Sequence, residues 1–229
     1  MNNTIIYHLS QRSDGPMKKN KRPDKENLGK FFKKNNLRLE DAFFMKQVHG
    51  NGIVEVDNES EHYIENIDGM VTKERNKTLA IFTADCVPVV MYDNKNNCIG
   101  AAHAGYKGIL LGVVENLLEK MKEIGAETEN IQVFIGPSIR GCCYDVPQER
   151  VEQFEKKYPT FKNMYTKKNR NLLLQLDHIV TQIALQNGIK QSNITTDPDC
   201  TGCSEKKYFS YRKESKETYG EFITTITNI

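Results

Sequence analysis

The chain has 229 residues, with 32 lysines and arginines against 30 aspartates and glutamates, a formal charge of +2. That balance excludes a protein that grips nucleic acid mainly through phosphates, and 38% hydrophobic with 27% charged residues fits a globular body. No apolar run approaches the roughly 18–20 residues of a membrane span. The opening MNNTIIYHLSQRSDG lacks the basic stretch and apolar core of a secretory signal. A cytoplasmic chain is expected, with its six cysteines reduced. Five histidines and no tryptophan complete the informative totals.

In chain order, a strand is expected at Ile5–His8. Residues 11–27, with Gly15, Pro16, Pro23 and a lysine-rich run, read as a solvated loop. Strands follow at Ala42–Val48 and Gly52–Val56, and the acidic segment 57–67 reads as a surface connection. Further strands are expected at Met70–Thr72, Leu79–Phe82, Val87–Tyr92, Cys98–His103 and Ile131–Ile135, then at Lys207–Tyr211 and Phe222–Ile226. Ile109, Leu110, Val113, Val114, Leu117, Leu118, Met121 and Ile124 share one helical stripe closed by Gly125. A second helix starts near Pro147, and a third spans Leu172–Asn187 before Gly188. The order predicts one α+β domain over residues 1–229, with helices against mixed sheets.

The segment from Thr83 to His103 carries the chemistry. Asp93-Asn-Lys-Asn-Asn97 separates two strand-like runs, so a hairpin is expected. A turn centred on Asn94-Lys95 sets Cys86 opposite His103, with Cβ atoms about 4.5–5.5 Å apart on one face. Pro88 suggests an edge strand. After His103, Ala-Gly-Tyr-Lys-Gly108 leads into a helix, a corner where free backbone N–H groups favour an anion. His49, in Lys46-Gln-Val-His-Gly50, is the third candidate. Two imidazoles and a thiolate with one open position suit catalytic zinc. Copper suits them less, because no axial methionine is evident.

KQVHG, IDGMVT, TADCVPV, AAHAGYKG, IGPSIRGCCYDV and DCTGC…YFSYRK occur in that order. On these motifs, which run from about Lys46 to Lys213, the chain resembles the YfiH family, whose members are variously called laccase-domain proteins, multicopper polyphenol oxidases and purine nucleoside phosphorylases. The resemblance implies a metal site of His49, Cys86 and His103. It also implies phosphorolysis of adenosine, inosine and methylthioadenosine, and deamination of adenosine. The family's usual HAGWRG is HAGYKG here, so Lys107 stands where an arginine's bidentate fork is usual. The N-terminal loop also departs, with only Arg12 and Asn27 matchable.

Several readings stay open. Five histidines with no His-x-His pair are too few for a multicopper laccase, though a single-copper polyphenol oxidase is not excluded. Cys86 with His103 could serve a cysteine hydrolase, including one that edits peptidoglycan precursors. A zinc-binding regulatory protein without catalysis is a further alternative. Cys200-Thr-Gly-Cys203 with Cys142-Cys143 could form a four-thiol zinc knuckle, but adjacent cysteines on one ion look awkward, and free thiols are the default expectation. None of the histidines begins the H-x-E of the zinc nucleobase deaminases. Asp85 and Asp68 are candidate acid or base groups. Arg12, Lys46, Lys107, Arg140 and Arg212 are candidates for the phosphate co-substrate, with Arg212 equally a structural ion pair.

Overall fold

The computed structural model describes residues 4–215 and 219–229. Its strands form two large mixed sheets and a small one, with five α-helices: α1 Lys25–Lys34, α2 Tyr106–Leu111, α3 Val113–Glu123, α4 Gln148–Lys157 and α5 Leu176–Gln186. The first sheet runs Arg22–Pro23, Lys18–Lys19, Gly220–Asn228, Thr78–Thr83, Ala42–Lys46, Tyr63–Glu65, with Ile5–Leu9 also pairing to Gly220–Asn228. The second runs Ile194–Thr196, Gln132–Ile135, Val87–Asp93, Cys98–Ala104, Gly69–Thr72, Ile53–Glu55. The expected α+β class, mixed sheets flanked by helices, is what the chain adopts.

Alternation along the strands explains the layering. Leu79 and Ile81 pack with Met70, Val90 and Ile99 between the two sheets, while Ala80 and Phe82 turn outward to α1. Val89 and Met91 face the opposite way from Val90 and meet α3 and α5 through Leu117, Met121, Ile179 and Ile183. Both faces of these strands are buried, so they read as unbroken apolar runs. The order of layers is helix, sheet, sheet, helices. No helix among the described residues is long and apolar enough to cross a membrane.

Five expectations are corrected. Part of the lysine-rich segment begins α1: the Asp24 carboxylate accepts from the Asn27 amide, and Leu28, Phe31 and Phe32 are buried at i, i+3 and i+4. Each such burial is worth roughly 1.5–3 kcal/mol, enough for three apolar side chains to hold a polar helix. Within the acidic connection, Tyr63–Glu65 is an edge strand parallel to Ala42–Lys46. Lys207–Tyr211 is a series of turns rather than a strand; its apolar members Tyr208 and Phe209 are buried against Phe222. The third helix begins at Leu176, because Asn171–Leu174 pairs as a strand with Tyr165–Lys168. The expected 109–124 helix is likewise two, broken at Gly112 with φ 91°.

Candidate metal centre

The hairpin forms in a register shifted by two residues. Cys98 pairs with Asp93 and His103 with Pro88, rather than His103 with Cys86. The cause is the turn: the Asp93 carboxylate accepts from the amides of Lys95 and Asn96, which lengthens the loop to Asn94–Asn97. A two-residue shift keeps every side chain on its face, so Cys86 still projects towards His103 from just before the strand. Pro88 is not on an edge strand, since Val87–Asp93 is flanked on both sides. It is tolerated because the register with Gln132–Ile135 ends at Val89, and Pro88 itself is asked only to accept, its carbonyl taking the Gly136 amide at 2.9 Å.

His49, Cys86 and His103 converge, with one ligand atom from each lying within 4.8 Å of the others. The Cys86 Sγ is 3.8 Å from His49 Nε2, and the two imidazoles stand edge to face at 4.7 Å between centroids. Gly105, which caps α2, leaves this space open: a Cβ there would stand 2.9 Å from His49 Cδ2 and 3.0 Å from the Cys86 Sγ. The corner after His103 is therefore filled by the cluster itself.

Asp68 organises the cluster. It is fully buried, and its carboxylate accepts from the amides of Val48 (3.1 Å), His49 (2.9 Å) and Gly50 (2.7 Å). The same carboxylate lies 2.8 Å from His103 Nδ1, while its carbonyl accepts from the His103 amide at 2.8 Å. A carboxylate can only accept here, so Nδ1 carries the hydrogen and the other ring nitrogen faces Cys86. One side chain thus fixes both imidazole-bearing residues. Burial pushes the Asp68 carboxyl up, but His103 and the amides of Gly50 and Val48 outweigh it and hold the group below the usual carboxylate range. Burial also opposes the Cys86 thiolate, yet His103 and then His49 bring the thiol down to about 7. Burial lowers His103, but Cys86 and Asp68 more than reverse that and raise it.

Two residues of the cluster's loops have left-handed backbones, His49 with φ 61° and Asp85 with φ 92°. Such conformations cost of order 1 kcal/mol or more and persist where surroundings enforce them. Asp68 does so for His49. For Asp85 the enforcers are Thr201, whose hydroxyl donates to Oδ1 at 2.6 Å, and the Arg212 amide, which donates to Oδ2 at 2.7 Å.

The cluster opens into a cavity of about 500 Å³. Tyr106, Tyr144, Tyr211 and Tyr219 supply ring faces, with Arg150, Arg212 and Lys18 as cations. The Arg150 guanidinium lies 3.9 Å over the Tyr106 ring, and Arg212 lies 5.2 Å over Tyr144. Of the residues expected for phosphate, Arg212 lines this space; its side chain also meets the Asp145 carbonyl and carboxylate at 3.2 and 3.3 Å. Three others are engaged elsewhere. Arg12 pairs with Glu214 and lies over Phe209, Lys46 pairs with Glu65, and Arg140 holds Asp177 and the carbonyls of Gly136 and Asp197. Lys107 is exposed on α2 beyond the lining.

Sequence reasoning missed Arg150, Lys18 and Gln47. Arg150 had a signal, a cation one helical turn into α4 after Pro147. Gln47 had none: its side-chain amide bonds both the carbonyl and the N–H of Phe82 like a strand neighbour.

Known proteins share this architecture. A Bacillus licheniformis protein called YfiH, of known crystal structure, superposes with a TM-score of 0.88 over 97% of this chain and 92% of its own, at 24% identity. A purine nucleoside phosphorylase of Clostridium acetobutylicum is 36% identical over 185 residues, 79% of this chain and 74% of that protein. An adenosine deaminase from an unknown prokaryotic organism is 28% identical over 188 residues, 76% of this chain and 71% of its own. With residues 18–228 matching throughout, the chain belongs to the family described as multi-copper polyphenol oxidoreductase laccase, the laccase-domain family of YfiH.

Proposed function

We propose that the chain is a zinc-dependent purine nucleoside enzyme of the cytoplasm, with no nucleic-acid or membrane partner. Its reactions would be phosphorolysis of adenosine, inosine and methylthioadenosine, and deamination of adenosine. The observation that carries this reading is the convergence of His49, Cys86 and His103 at a cavity walled by tyrosines and arginines. The relatives named as a phosphorylase and a deaminase support the substrate class.

The donor set fits one ion. The other three histidines lie elsewhere, His62 stacked on Phe43, His178 bonded to the Lys162 carbonyl, and His8 within the strand Ile5–Leu9. That distribution supports a single metal rather than a multicopper centre. Zinc held by His49, Cys86 and His103 would supply a Lewis acid and a water of lowered pKa.

The chain's own residues do the rest. Asp68 acts as a positioning group, since its carboxylate is committed to three amides and His103. Of the two carboxylates that line the cavity, Glu221 pairs with Lys18, and Asp85, which accepts from the Thr201 hydroxyl and the Arg212 amide, is the one assigned to proton transfer. The tyrosine rings suit stacking against a purine. Arg150 and Arg212, each seated over a tyrosine ring, can present planar forks to phosphate.

His103→Ala is expected to lose zinc and both activities while circular dichroism shows the fold retained. Unchanged release of hypoxanthine from inosine plus phosphate in that variant would overturn the reading. Chromatography of adenosine products separates the two reactions: adenine appears only with phosphate, inosine without it. A cysteine hydrolase is the second reading, favoured by the lowered Cys86 thiol beside His103. Stoichiometric zinc at the centre with Cys86 inert to iodoacetamide decides against it.

A further inference from the structure

On the far side of Asp85, Cys142, Cys143, Cys200 and Cys203 bring four sulfurs within 4.8 Å of one another. The Cys203 Sγ lies 3.4 Å from that of Cys142 and 3.2 Å from that of Cys143. A single sulfur between two others suits a shared ion better than a disulfide, which joins one pair. Four thiolates about 2.3 Å from a tetrahedral zinc have sulfurs about 3.8 Å apart, close to the spacing seen. We propose that these four cysteines form a second, structural zinc site, distinct from the His49–Cys86–His103 centre.

The local backbone is built for convergence. Adjacent cysteines reach one point because they lie in a turn, where the amides of Cys143 and Tyr144 both donate to the Arg140 carbonyl. The facing Cys200–Cys203 segment turns in the same way, with the amides of Cys203 and Ser204 donating to the Cys200 carbonyl. Gly202 lets the two turns touch: a Cβ there would stand 2.9 Å from the Cys143 Cβ and 3.1 Å from its Sγ. The Arg140 amide donates to the Cys200 Sγ at 3.3 Å, the outer-shell bond that steadies a thiolate ligand. A bridge between Ser138 and Cys200, with the Thr201 amide donating to the Ser138 carbonyl, joins the same two segments. Binding would release the thiol protons as the four thiolates form.

Four protein ligands leave no open position, so this ion serves structure. It fastens Cys143, which leads into the cavity-lining Tyr144, to Thr201, which holds Asp85.

Metal analysis of the purified chain tests the proposal. The native protein is expected to carry about two zinc ions per chain, Cys203→Ser one fewer, and His103→Ala one fewer by a separate loss. Cobalt-loaded protein should show thiolate-to-cobalt absorption that Cys203→Ser sharply reduces. If Cys203→Ser fails to fold, native thiol titration serves: the four thiols should resist a thiol reagent until a chelator is added. Zinc content unchanged in folded Cys203→Ser, immediate modification of all four thiols, or a disulfide among them in protein purified under reducing conditions would overturn the proposal.

Discussion

Two cysteine-bearing clusters flank Asp85, and they are built to opposite plans. His49, Cys86 and His103 gather three donors at the floor of a cavity, held by one buried carboxylate. Cys142, Cys143, Cys200 and Cys203 gather four donors near the surface, held by turns and backbone contacts. An ion held by the first would keep a position facing the cavity, and one held by the second would keep none. Ligand count and access, more than residue type, separate a place for chemistry from a place for fastening. Asp85 links them, since Thr201 between two of the thiols bonds its carboxylate while its neighbour Cys86 belongs to the other cluster.

Chelation should separate the two clusters most sharply. A chelator that reaches the cavity is expected to abolish nucleoside turnover before the four-thiol site gives up its metal, followed by assay and thiol titration in parallel. Simultaneous loss from both would break the distinction. Asp68→Asn should come next, weakening metal at the three-donor cluster by about 10–100-fold while the four-thiol site is untouched, measured by competition with a zinc indicator. Thr201→Val tests the link. It strands the buried Asp85 Oδ1 and should cost about 2 kcal/mol in urea unfolding, with zinc content unchanged.

The smallest effect is expected at Asp93, at the turn end of the hairpin. Burial pushes its carboxyl up, but the Asn96 side chain and the amides of Glu127, Asn96 and Lys95 prevail and hold it below its usual value. A depressed carboxylate contributes stability that is complete above the unfolded pKa of about 3.9 and fades as pH falls through the lower folded value. Asp93→Asn should therefore cost about 1 kcal/mol near neutrality. Its urea-unfolding gap from the native protein should narrow below about pH 4.

The cluster at the end of the cavity was legible because most of it lies on a short, strongly patterned stretch. Cys86 and His103 share a face in the expected register and in the real one, since the Asp93 turn moves the pairing by an even number. His49 was legible as the third donor that the Cys86–His103 pair needs and through the KQVHG motif; its left-handed backbone and its amide's bond to the Asp68 carboxylate leave no periodic trace. The cavity walls were largely hidden, because Lys18, Arg150 and Tyr219 come from three distant segments. The α1 helix was masked by lysines around three apolar residues, although Asp24 stood at its start as a cap. The four-thiol cluster looked awkward on sequence because adjacency suggests alternate directions, as in a strand, whereas Cys142 and Cys143 sit in a turn.

The strand Gly220–Asn228 has a consequence for how the molecule assembles. It takes Ile5–Leu9 and Lys18–Lys19 on one side and Thr78–Thr83 on the other, pairing Phe222 with Thr83 well over a hundred residues away. Its Glu221 lines the cavity and pairs with Lys18. Closing loops of that length costs entropy before any contact repays it, so high contact order places such sheets towards the slow end of folding rates. The Val87–Ala104 hairpin, by contrast, can form locally. The cavity wall that Glu221 supplies is therefore expected to close only when that strand docks, after the local hairpin can form.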